Sequence, residues 1–299
     1  MTDSAPTEAN EGEPRLEVQS LGSGSSGNAF FLAYGGTAVL IDCGVAYRQL
    51  AAAARRSGRQ LDTLDALLLT HEHIDHVRSL PYVTAGGMPV VATPGTARMA
   101  RVRASQLVPA AADQPVSIGT LTIWALPVRH DATEPCGYLI ETPAGNVTIL
   151  TDLGSWDESL VDAIRHSDLV VLEANHDEDM LRHGPYPPHL KRRVASDVGH
   201  LANATCGQAL VAAFAEFAGG RAAPTVWLAH LSATNNRPEM AESTVAAELA
   251  RHSLNLDITA LPRRTAGPPW VSERAGGMAR AHRAWQPPAI TGQLRMNLG

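Results

Sequence analysis

The stretch LLLTHEHIDHV, Leu67 to Val77, sets three histidines and an aspartate within six residues, directly behind a run of leucines. The leucines read as a buried strand, so the polar residues fall where the chain leaves a sheet. His71 and His73 are separated by one residue, and in an extended segment both imidazoles then point the same way. Asp75 and His76 add an oxygen and a third nitrogen as the chain turns into the next helix. Imidazole together with carboxylate suits zinc, manganese or iron, and the lack of cysteine argues against a closed structural zinc site. Four potential ligands in so short a loop exceed what one tetrahedral metal can take from it. The plain alternative, a solvated polar turn after the strand, suits a single histidine better than HxHxDH.

At 299 residues and 44% hydrophobic content, the chain can bury a sizeable core. No apolar run approaches the roughly 20 residues of a membrane span, and MTDSAPTEANEGEP lacks the basic and apolar regions of a signal peptide. A cytoplasmic protein without membrane attachment is the expectation. The three cysteines, Cys43, Cys136 and Cys206, form no CxxC pair, which fits a reducing compartment. A formal charge of −6 argues against a generally basic surface for nucleic acid. Lys191 is the single lysine, and the preference for arginine carries little weight by itself.

Residues 1–14 are polar, acidic and Pro-containing, and predict a disordered leader. EVQSLG, FFLAYGG and TAVLIDCG read as strands between glycine turns, AYRQLAAAARRSG as a helix ending at Gly58, and LDALLLT as a strand. VRSLPYVTAG and GTARMARVRA predict helices around the strand MPVVATP. SIGTLTIWALPV, GYLIETP and GNVTILTD follow as three strands. SWDESLVDAIRHS, NATCGQALVAAFAEFAGG and ESTVAAELARHS predict helices that alternate with the strands SDLVVLEAN and PTVWLAHLS. Hairpins mixed with βα units predict an α/β (α+β) domain over residues 15–260, two packed sheets covered by helices in a four-layer αββα sandwich. Residues 261–299 are rich in Pro, Gly and Arg and predict a flexible tail, with a DNA-contacting arm as the sharper alternative.

Further ligand candidates stand at strand ends: His130 after TIWALPV, Asp152 after NVTIL and His230 after PTVWLA. Taken singly each is a satisfied loop histidine or a turn aspartate; taken jointly at equivalent positions they point to a site on one sheet edge. The ordered set Asp42, His71, His73, Asp75, His76, His130, Asp152 and His230 resembles the five motifs of the metallo-β-lactamase superfamily, over about residues 16–257. The resemblance implies the metallo-β-lactamase fold and two divalent metal ions, Zn2+ or Mn2+. One would sit on His71, His73 and His130 and the other on Asp75, His76 and His230, with Asp152 bridging and Asp42 orienting ligands from behind. LGSGSSGN, LIDCG, LTHEHIDH, VRHDATEPCGY, LEANHDEDML, PYPPHLKRR, SDVGHLAN and LAHLSATNN together resemble the YycJ/VicX/WalJ group within it. That resemblance implies 5′-to-3′ digestion of DNA.

A two-metal site suits phosphodiester hydrolysis, because two cations sharing a carboxylate lower the pKa of bound water to about 7 and clamp an anionic transition state. A bridging hydroxide is the expected nucleophile, with Asp75 positioning it and accepting its proton. Glu173 and His200 resemble the Glu and His motifs of tRNA 3′-processing enzymes, where such a pair helps protonate the leaving oxygen. A loop cap for Glu173 and a helix-start residue for His200 are the alternatives. LGSGSSGN offers backbone amides and the hydroxyls of Ser23, Ser25 and Ser26, with Asn28, as a phosphate cradle; a tight hairpin turn is the other reading. Lys191 and Arg192 in HLKRRV either contact backbone phosphate or form a solvated charged loop, and His176 and His183 have no assigned role. A small ester, thioester or lactam hydrolase and a catalytically silent regulatory protein remain the competing functions.

Overall fold

The computed structural model describes residues 14–56, 58–215, 223–272 and 285–287. The leader expected over 1–14 and most of the tail expected over 261–299 lie outside these residues.

Two seven-stranded sheets pack face to face. The first contains β1 (Leu16–Gly22), β2 (Ala29–Tyr34), β3 (Thr37–Ile41), β4 (Ala66–Leu68), β5 (Val90–Ala92) and β6 (Leu107–Pro109). The second contains β7 (Val116–Ile118), β8 (Leu121–Pro127), β9 (Cys136–Thr142), β10 (Gly145–Leu150), β11 (Leu169–Glu173), β12 (Thr225–Ala229) and β13 (Asp257–Ala260). A final strand, β14 (Trp270–Val271), returns to the first sheet and pairs antiparallel with β1.

Antiparallel hairpins build one half of each sheet, and parallel ladders build the other, through β3 to β6 and β10 to β13. Parallel strands are covered on both faces, which is why the runs AVLI of β3 and LVVL of β11 are apolar. In β11, Leu169 and Val171 point between the sheets while Val170 and Leu172 point outward. The outer faces are covered by helices. On the first sheet these include α1 (Tyr47–Arg56), α2 (Ile74–Val77), α3 (Leu80–Val83) and α4 (Pro94–Met99). On the second packs α5 (Glu158–Arg165); α6 (Glu178–His183) and α7 (Pro188–Val194) lie in the connection from β11 to α8 (Asn203–Phe214), which with α9 (Pro238–Arg251) also packs on this sheet. The result is the αββα sandwich expected from the sequence.

The differences are local. VRSLPYVTAG is not one helix: its first residue, Val77, ends the four-residue α2, and only Leu80–Val83 of the rest is helical, with Pro81 in the first turn. HLKRRV is helix α7, not a loop. The boundary drawn at 260/261 falls inside the fold, since composition alone hides what Leu261–Ser272 pair with. Leu261 N donates to Leu228 O at 2.9 Å, Ser23 N to Pro262 O at 3.2 Å, and Ser272 N to Leu16 O at 2.9 Å. Trp285 is buried, packs edge-on against Trp124, and its indole N–H donates to Asp162 at 2.9 Å. No helix among the described residues is long and apolar enough to cross a membrane.

Candidate metal centre

Strands β8, β10, β11 and β12 all run in one direction, so their C-terminal ends share an edge, and those of β3 and β4 meet it from the other sheet. Asp42, the HxHxDH loop, His130, Asp152, Glu173 and His230 all occupy these ends. Asp42, Asp152 and His230 adopt left-handed backbone conformations, with φ of 57°, 58° and 52°. Such angles strain a residue that carries a side chain, and they turn each side chain sharply into the space between the sheets. Gly44 allows the closest approach: a Cβ there would stand 1.5 Å from Asp75 O, so only glycine lets the loop after β3 lie on the HxHxDH turn.

Two ligand sets converge. His71, His73 and His130 form one, and Asp75, His76 and His230 the other, with the donor atoms of each set within 4.8 Å of one another. Asp152 stands between them, 3.0 Å from His76 Nε2 and 3.8 Å from His130 Nε2. In the first set, His73 Nδ1 lies 3.1 Å from His71 Nε2 and 3.3 Å from His130 Nε2.

The far side of each ring determines its tautomer. His130 Nδ1 donates to Gly199 O at 3.0 Å, His76 Nδ1 to Asp42 at 2.7 Å, and His230 Nδ1 to Glu173 at 2.8 Å. Each Nε2 therefore faces the centre, with its lone pair inward where it is unprotonated, and the Nε2 of His230 is buried with no hydrogen-bond partner. Lone pairs crowded in this way repel unless protons or a cation lie among them. Protons suffice only in part. Burial works against charge on His76 and His230, yet the Asp152 carboxylate, with Asp42 at His76 and Asp75 and Glu173 at His230, holds both pKa values above the ordinary histidine range. His71 and His130 go the other way, kept neutral chiefly by burial. A divalent cation would displace the protons from His76 and His230 and leave neutral imidazoles beside ionised carboxylates, so the residues fit a metal.

Behind this layer, Asp42 is 1% exposed and also accepts from Thr70 N at 2.9 Å and Thr70 Oγ1 at 2.8 Å. Glu173 is fully buried, and its Oε1 accepts from His200 Nδ1 at 2.9 Å as well as from His230. Burial opposes charge on Glu173, but the two histidines outweigh it and hold the carboxyl below its usual range. Conversely, Glu173 and Asp152 raise His200 against the effect of burial. The Glu173 and His200 of the sequence reading are thus in contact at the rim of the ligand cluster.

The predicted phosphate cradle is not assembled as expected. Ser23 is buried, and its hydroxyl accepts the backbone N–H of His230 at 2.9 Å, so it orients a ligand-bearing loop. Asn28 is also buried, its amide nitrogen 3.0 Å from His76 Nε2 and 3.4 Å from Asp75 Oδ2. Ser25 and Ser26 are exposed, and only Ser25 lines the cavity of about 220 Å³ over the cluster. Lys191 and Arg192 face a neighbouring cavity, while Arg193, one position on along α7, lines the cluster's own. Arg193 is ion-paired with Asp131 at 2.5 Å, beside His130. The sequence reading passed over Arg193, Thr70 and Asn175, which donates to His230 O at 2.8 Å. For Arg193 the signal was present in HLKRR, but choosing among adjacent basic residues requires the helical phase.

Comparison with known proteins adds relatives to this geometry. The family model described as "Beta-lactamase superfamily domain" matches residues 37–227. The chain is 30% identical over 246 residues to the exodeoxyribonuclease WalJ of Streptococcus pneumoniae serotype 2 strain D39, covering 80% of this chain and 90% of that protein. It is 28% identical over 240 residues to the exodeoxyribonuclease YycJ of Bacillus anthracis, covering 78% and 89% respectively. The crystal structure of the metallo-beta-lactamase fold protein YhfI from Bacillus subtilis superposes with a TM-score of 0.67 at 17% identity, over 86% of this chain and 99% of that one.

Proposed function

This chain belongs to the beta-lactamase superfamily, and within it we propose a two-metal phosphodiesterase, a 5′-to-3′ exonuclease that acts on DNA in the cytoplasm. The observation that carries the reading is the Glu173–His200 pair set against two convergent ligand sets, in a chain similar along most of its length to exodeoxyribonucleases.

In this reading His71, His73 and His130 would hold one divalent cation, Zn2+ or Mn2+, and Asp75, His76 and His230 the second, with Asp152 lying between the two sets. When bound, the cations lower the pKa of water to about 7 and offset the charge of the reacting phosphate. The chain supplies the rest. Asp75 remains ionised because His230 and His76 outweigh its partial burial, and it positions the attacking water and takes its proton. His200 has Nδ1 committed to Glu173, so its Nε2 proton is the one delivered to the leaving oxygen. Arg193 and Ser25 line the entrance, where they contact the phosphate backbone.

Digestion of 5′- and 3′-labelled DNA and RNA by Mn2+- or Zn2+-reconstituted protein tests the proposal. The expected result is progressive shortening of DNA from its 5′ end, abolished in Asp75→Ala. Intact DNA alongside turnover of nitrocefin or a glutathione thioester would overturn it.

A further inference from the structure

We propose that the cavity walled by α6, α7 and the start of α8 is a subsite for a second phosphate of the substrate strand, beside the one that reacts. The inference rests on the nuclease reading above. The cavity measures about 430 Å³ and adjoins the ligand cluster, since His200 lines both spaces and Gly154 follows the loop of Asp152.

Three independent features give it the chemistry of an anion site. Arg182, Lys191 and Arg192 line it with the acid Glu178, Arg182 Nη1 also pairs with Asp179 at 3.2 Å and Lys191 Nζ donates to Arg182 O at 2.7 Å, which still leaves a cationic wall in a chain whose formal charge is −6. The basic character is therefore local and does not reflect the background. The 12-residue helix α8 begins here, with Ala202 at its N-cap offering no side chain to cap it. Asn203 N is taken by His176 O at 2.9 Å, while Ala202 and Thr205 line the cavity. A helix start with free amides attracts an anion through those N–H groups and the helix dipole. Last, His176 lines the same space, is only 2% exposed, and its Nδ1 is buried without a hydrogen-bond partner. Burial holds its pKa down to about 4, so the ring is neutral at pH 7. A buried imidazole nitrogen left unpaired is costly unless a ligand or water completes it.

Phosphate supplies acceptors for the guanidinium and ammonium N–H groups and for the amides at the start of α8. It can come from two sources: the 5′-terminal phosphate of the strand, or an internal backbone phosphate. The helical phase of HLKRRV accommodates both phosphates at once, placing Arg193 at the metal cavity and Lys191 and Arg192 at the neighbouring one.

The test is equilibrium binding of 3′-fluorescent single-stranded DNA, carrying a 5′-phosphate or a 5′-hydroxyl, to the full chain in EDTA across a salt series. Wild type is compared with the double variant Arg182→Gln/Arg192→Gln, both exposed positions. The expected result is a Kd raised about 10-fold in the variant and a slope of log K against log salt reduced by about 0.7, the loss of one phosphate contact. If the terminal phosphate is the source, wild type prefers the 5′-phosphorylated strand and the variant does not; if an internal phosphate is the source, both strands weaken equally. An unchanged Kd and slope would overturn the subsite. Hydrolysis of bis-p-nitrophenyl phosphate by the Mn2+-loaded wild type, measured in parallel, reports on the nuclease reading separately, because that reporter carries no second phosphate.

Discussion

Glu173 serves four donors with one carboxylate: His200 and His230 on Oε1, and the backbone N–H groups of Leu153 and Leu201 on Oε2. It thus ties a proposed proton donor to a proposed metal ligand. In Glu173→Gln the shape persists, but an amide cannot stay acceptor-only on both sides. The expected outcome is a 10- to 100-fold weaker affinity for the second metal together with a lower kcat. His200→Asn, by contrast, should lower kcat by about 10²-fold or more while metal affinity stays unchanged. Metal titration and single-turnover kinetics separate the two. A second prediction concerns His176. Its folded-state pKa of about 4 lies below the unfolded value, so the unfolded chain takes up a proton first as pH falls. Stability present above pH 6.5 is lost between 6.5 and 4, by on the order of 2–3 kcal/mol. Denaturant unfolding of His176→Gln should show a correspondingly shallower acid limb.

At the scale of elements, β14 closes one edge of the first sheet. Glu17 pairs with Val271 and Val18 with Trp270, and Trp270 Nε1 donates to Thr225 at 3.2 Å. Arg263 locks the loop after β12, donating to Leu231 O at 3.0 Å and Asn236 O at 2.9 Å. A chain ending at Ala260 loses these bonds and exposes β1 as an edge, at a cost of about 5 kcal/mol. Its melting temperature should fall by about 10 °C or more, and a thermal scan equal to that of the full chain would contradict the structural role of 261–272. This is also where the sequence was least legible. PPWVS has no period to announce a strand two residues long, and its partner lies more than 250 positions away. The apolar runs AVLI, LVVL and VWLA were legible because parallel strands buried on both faces carry polar residues only at their ends. Ser23 misled for the opposite reason: a serine in a glycine-rich loop looks free until the distant strand end that uses it is in place.

At the scale of the whole molecule, the candidate ligands come from both sheets. His71, His73, Asp75 and His76 leave β4 in the first, while His130, Asp152 and His230 leave β8, β10 and β12 in the second. The centre therefore exists only when the sandwich is closed, and metal binding should stabilise the entire fold rather than one loop. The candidate ligands could be singled out in the sequence because each lies just beyond an apolar run, and these runs end at the same edge. The second, basic cavity was not readable, since α6, α7 and the start of α8 acquire a common wall only on folding.

If LLLTHEHIDHV feeds two separate cation sites, metal content per chain reports it directly. After reconstitution and removal of free metal, elemental analysis should find two ions per wild-type chain, and one in His230→Ala. One ion in wild type, or two retained in His230→Ala, would contradict it.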